Sequence, residues 1–141
     1  MEKQLLALII QTRALQLFYH HCHNVVFGEQ FHCDHIFFGE AYDNVEDNYD
    51  SLVEFFISIF GISKFDTVMV NNLVAEEVSE YSPEKMNAKK MYDAALILEK
   101  DFQNRITIVE AKSTVGLKNA LGDIAQSSDV RIYKIKQRLK K

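Results

Sequence analysis

The stretch HNVVFGEQFHCDH carries a histidine at each end, His23 and His35, with Gly28 between them. On the helix expected to follow, each residue advances by about 100°. His35, Gly39, Asp43, Glu46, Asp50 and Glu54 therefore fall along one stripe, with Asp47 close by. Imidazole and carboxylate together suit iron, manganese or zinc better than copper(I). A row of acids is also what a solvated helix face presents. His35 stands where this acidic stripe meets an apolar one, and a histidine beside carboxylates is the usual surrounding of a ligand. His23 lies on the apolar face of the preceding helix, where a lone histidine more often serves as a hydrogen-bonded core residue. It counts as a candidate ligand only as the partner of His35. His20, His21 and His32 point in other directions at helical spacing. Cys22 and Cys33 are too few for a disulfide framework and lack zinc-motif spacing, so they read as free thiols.

The elements that must position these residues are helical. The 141 residues suit one domain, 1–141, and contain one proline and five glycines, a scarcity of breakers that favours long helices. Leu5, Leu8, Ile9, Leu15, Tyr19, Cys22 and Val26 mark one face of a first helix over 2–26, stopped at Gly28. A second runs from about Phe31–Asp34 to Phe60 and ends at Gly61, with Asp34 as N-cap or first-turn acid and Phe31 anchoring the turn in the core. A shorter connecting helix ends at Val78. Ser82-Pro83 then predicts the start of a third long helix reaching about Lys112, and after a break at 114–116 a fourth carries Leu117 to Leu139. The expected fold is all-α: a ferritin-like antiparallel four-helix bundle with a short helix in the long connection between its second and third members.

The net charge of −4 gives no general attraction for nucleic acid. The C-terminal Lys134, Lys136, Arg138, Lys140 and Lys141 are nevertheless candidate phosphate contacts. The same charges are favourable simply because they close a helix. No apolar run approaches the roughly 18 residues that cross a bilayer, and Arg13 with its polar neighbours follows the short LLALII, so a cytoplasmic location without a secretory signal is expected.

His23, Gly28, Phe31, His32 and His35 resemble the signature of the Dps-like mini-ferritins, the DNA-protecting proteins of starved bacteria. In that family a first histidine is followed at +5 by glycine, +8 by phenylalanine, +12 by a second histidine, and at +27 and +31 by an aspartate and a glutamate. Counted from His23, the last two fall on Asp50 and Glu54. The resemblance implies a homo-oligomer, a hollow dodecamer built from two-fold dimers. Its ferroxidase sites would take His23 and His35 from one chain and Asp50 and Glu54 from its neighbour. Ferrous iron would be oxidised there and stored as ferric mineral, protecting DNA, with zinc or manganese as substitute metals. The sequence departs from the family at +16, where Gly39 replaces the usual aspartate. Asp43 is a further candidate ligand in compensation, and Glu40 flanks the gap. Tryptophan is absent, and no lysine-rich arm precedes the first helix. The alternative is a non-catalytic ferritin-like structural or assembly protein, a viral one included, with a degenerate metal site.

Overall fold

A computed structural model describes residues 1–140, and among these residues the chain forms five α-helices and no strand. They are α1 (Glu2–Val25), α2 (Phe31–Phe60), α3 (Thr67–Val78), α4 (Ala88–Glu110) and α5 (Val115–Leu139). Lys141, the last of the basic C-terminal candidates, lies outside the described residues.

Local chemistry sets most of the boundaries. Between α1 and α2 the chain turns through Gly28 at φ +116°, and α2 ends on Gly61 at φ +91°. Both values favour glycine, which has no Cβ to clash. The Asp66 carboxylate accepts from the amides of Val68 and Met69 at the start of α3, and Thr114 Oγ1 accepts from Leu117 N at the start of α5. Each satisfies backbone donors that a helix start leaves without partners. Ser82 and Pro83 do not begin the third long helix as expected. They open a three-residue 3₁₀ turn, Pro83–Lys85, after which Met86 is extended. α4 begins instead behind Asn87, whose side chain accepts from Lys90 N at 2.9 Å.

Side-chain contacts fix the helix directions. His23 approaches Gly39 while Arg13 lies over Tyr49, so α1 and α2 are antiparallel. Asp34 meets Arg138 and Asn44 meets Arg131, so α2 and α5 are antiparallel. Glu99 bonds Ser128 and Arg131 while Arg138 reaches the Tyr92 ring, so α4 and α5 are antiparallel too. It follows that α2 and α4 run the same way, and the segment 61–87, including α3, traverses between them. Large apolar side chains from α1, α2, α4 and α5, among them Tyr19, Phe38, Phe56, Phe102 and Leu121, are fully buried in one core. A smaller cluster of Ile10, Val70 and Val74 fastens α3 against α1. No helix among the described residues is long and apolar enough to cross a membrane.

Candidate functional site

The close approach of α1 and α2 beside their connecting turn brings His23 and His35 together. Their imidazoles stack at 3.8 Å between centroids with 20° between planes. Each Nδ1 lies 2.8 Å from the other residue's backbone carbonyl oxygen: His23 Nδ1 to His35 O, and His35 Nδ1 to His23 O. A carbonyl can only accept, so the Nδ1 of each ring must be the protonated nitrogen. In the neutral tautomer this leaves both Nε2 lone pairs free. Ligating histidines are commonly prepared in this way, with one ring N–H donated to a fixed acceptor while the other nitrogen binds.

The stack extends on both sides. Phe31 lies on the outer face of His35 at 5.1 Å, and Tyr42 meets His23 edge-on at 5.3 Å. Phe31 is thus not the core anchor expected of it. It is 46% exposed, because its position at the first turn of α2 places its ring beside His35 at the surface rather than between helices.

Gly39 is where the α1–α2 crossing requires a missing side chain. A Cβ built there would sit 3.0 Å from both Cε1 and Nδ1 of His23. The imidazole fills the space in which an aspartate side chain would begin. Gly39→Ala requires the ring to shift by a few tenths of an ångström while its Nδ1 is tied to the His35 carbonyl, a strain expected to outweigh the roughly 1 kcal/mol alanine gains in a helix interior. The variant is therefore expected to melt below the parent protein. A raised melting temperature would contradict this packing.

The carboxylates do not join the histidines within one chain. Asp43, Asp50 and Glu54 are all exposed on α2. At about 1.5 Å of rise per residue they lie about 12, 22 and 28 Å along the helix from His35. Among the described residues no group of three or more histidine, cysteine, aspartate and glutamate side chains is placed to hold a metal ion. One chain therefore supplies two nitrogen donors at one end of α2 and a pair of carboxylates toward the other. Neither Tyr19 nor His32 joins the histidine pair: Tyr19 bonds Glu99, and His32 is exposed.

Two polar networks escaped the sequence reading. In the core, the fully buried Glu99 accepts from Tyr19 Oη at 2.5 Å, from Ser128 Oγ at 2.6 Å and from the Arg131 guanidinium, which also bonds Asn44. Burial works against the Arg131 charge, but the Glu99 carboxylate beside it more than compensates and holds its pKa above the usual arginine value. Burial and then Glu99 raise the Tyr19 phenol well above its ordinary range, so it stays a neutral donor. At the bundle end nearest the histidines, Asp34, 1% exposed, accepts from Tyr92 Oη at 2.7 Å and from Arg138 at 3.0 and 3.1 Å. Arg138, one of the candidate phosphate contacts, is thereby held by an intramolecular bidentate pair. Lys134, Lys136 and Lys140 are exposed.

Both cysteines are free, as expected: Cys22 is buried and Cys33 exposed. Burial pushes the Cys22 thiol far up, away from the reactive thiolate. A disulfide-exchange reagent applied to the native protein is expected to titrate one thiol quickly, with the second appearing only on unfolding. Two fast thiols would contradict the packing of Cys22. Comparisons with protein-family models and with curated proteins found no match for this chain.

Proposed function

We propose that the chain is a subunit of a ferritin-like, mini-ferritin assembly that binds ferrous iron between two copies of itself and oxidises it. The reciprocal pairing of His23 and His35 carries this reading, because it fixes both rings through Nδ1 and leaves two Nε2 atoms able to bind a metal. The helix directions support it too. An antiparallel hairpin, a long crossover holding a short helix, and a second hairpin make the ferritin-like order of a four-helix bundle.

The separation of the two half-sites along α2 supplies the reason for a dimer. Two α2 helices packed antiparallel about a two-fold axis near Asp43 would bring His35 of each against Asp50 and Glu54 of the other. An isologous interface repeats every contact twice, so one dimer would hold two such sites. Two nitrogen and two carboxylate donors suit iron(II), with manganese or zinc as substitutes. The acidic residues along this face would repel their own copies, and cations bound at each end would offset that repulsion.

In the reaction, two ferrous ions give one electron each to hydrogen peroxide. Its O–O bond breaks, and two protons complete two waters as two ferric ions form. The carboxylates lower the net charge of the bound ion and the histidines fix its position, while stored mineral is the product. Among the described residues, the DNA-protecting part of the reading rests on Lys134, Lys136 and Lys140, since Arg138 is engaged with Asp34.

A second reading, a ferritin-like shell or assembly protein that does not oxidise iron, is favoured by one observation. The His23 ring occupies the space at Gly39 where the family carries an aspartate. Anaerobic titration with ferrous iron, followed by peroxide, separates the two. Saturable iron uptake and a ferric absorbance that rises with added peroxide support the ferroxidase. Absence of both leaves the assembly protein.

A further inference from the structure

Between α2 and the C-terminal half of α5 opens a cavity of about 260 Å³. That volume admits a small metabolite rather than a drug-sized molecule. Phe37, Ala41 and Val130 give it an apolar wall. The polar groups beside that wall are unmatched in both senses, with spare donors and a spare acceptor.

The donors come from Asn44 and Arg131, which line the cavity together. A guanidinium can only donate, so Asn44 must turn its Oδ1 toward Arg131, as it does. Its Nδ2 then faces away from that bond, and among the described residues no acceptor meets it. Asn44 is half-buried and its Nδ2 is open to solvent, so a ligand can reach it. Arg131 spends three of its five N–H groups, on Glu99 and Asn44, and two are left over. Glu99 already meets the Arg131 charge, so Arg131 offers a ligand directed N–H groups rather than net charge. The net charges of the cavity belong to Lys134 and Glu40, both exposed. They are opposite in sign, yet among the described residues neither closes an ion pair with the other or with any third group. Glu40 lies one helical turn from Asn44 on the same side of α2, so an acceptor stands next to the donors.

We infer that this cavity binds a free α-amino acid with an apolar side chain. Its carboxylate would accept from Asn44 Nδ2, from Arg131 and from Lys134, while its ammonium would meet Glu40. The side chain would cover Phe37, Ala41 and Val130. An inorganic anion would face Glu40 and leave the apolar wall bare. A simple amine would leave the amide and guanidinium donors unmet.

Isothermal titration of the full chain with L-leucine, 3-methylbutylamine and 4-methylpentanoate tests this, the two analogues lacking the carboxylate and the ammonium in turn. Leucine is expected to bind saturably, and the amine at least about tenfold more weakly. The acid should bind about fivefold more weakly, a smaller loss because Glu40 is exposed. Glu40→Gln should weaken leucine about fivefold without weakening the acid, and Lys134→Met should weaken leucine and the acid alike. Both positions are exposed, so the variants keep the fold. The inference is overturned if leucine does not bind, if either analogue binds as tightly, or if either substitution leaves leucine affinity unchanged.

Discussion

Replacing Glu99 by alanine is expected to lower the unfolding free energy by about 3–5 kcal/mol, the range for removing one member of a buried ion pair. Glu99 is fully buried and is the acceptor for Tyr19, Ser128 and Arg131 together. The alanine variant leaves the Arg131 guanidinium, 5% exposed, with only Asn44 to bond, and strands two hydroxyls. The desolvation cost of Arg131 then goes uncompensated. The double variant Glu99→Leu/Arg131→Met removes both charges and should recover a large part of the loss, because apolar side chains of similar volume replace buried pairs at little net cost. Urea denaturation of the single and double variants measures both. A loss below about 1 kcal/mol for Glu99→Ala, the scale of an exposed pair, would contradict the burial described.

Iron affinity is expected to fall in His23→Ala and in His35→Ala by more than the roughly 10–100-fold that loss of an outer partner costs at a metal site. Each substitution removes one Nε2 donor. Neither removes the backbone carbonyl that orients the remaining ring, since His23 O and His35 O belong to the main chain. The surviving imidazole keeps its tautomer, so the loss isolates the ligand itself. Both side chains are only partly buried, and the stability cost should stay near the 1 kcal/mol typical of point variants. Calorimetric iron titration alongside thermal melting separates the two effects. Unchanged iron affinity in both variants would assign the pair a purely structural role at the α1–α2 turn.

Much of the fold was legible because helix periodicity and breakers agree in this chain. The second helix was expected to end at Phe60 before Gly61, and the connecting helix at Val78, and both do. Ser82-Pro83 misled because a serine–proline pair starts a 3₁₀ turn as readily as a long helix. The decisive cap, Asn87, acts through a hydrogen bond that local pattern alone does not distinguish.

The ion pair in the core has a signal in the sequence. Ala95, Glu99, Phe102 and Ile106 follow core spacing on α4, and Ile124, Ser128, Arg131 and Ile135 do so on α5. Opposite charges on two inward stripes predict each other. The approach of His23 and His35 was legible only as spacing. The reciprocal carbonyl bonds depend on how closely α1 crosses α2, which Gly39 permits and no periodicity reveals. Arg138 looked like a free basic residue because its partner Asp34 lies 104 positions away.

The shared site between two copies is tested most directly by mixing two disabled chains. A His23→Ala/His35→Ala chain lacks the nitrogen donors, and an Asp50→Ala/Glu54→Ala chain lacks the carboxylates, so each alone should bind and oxidise almost no iron. Refolded together in equal amounts, half of the two-fold dimers would be mixed, and each mixed dimer would carry one intact site of two. Peroxide-dependent iron oxidation should therefore return to about a quarter of the level of the unmodified protein. A mixture as inactive as its components, or full activity in the carboxylate variant alone, would contradict a site built from His23 and His35 of one chain and Asp50 and Glu54 of another.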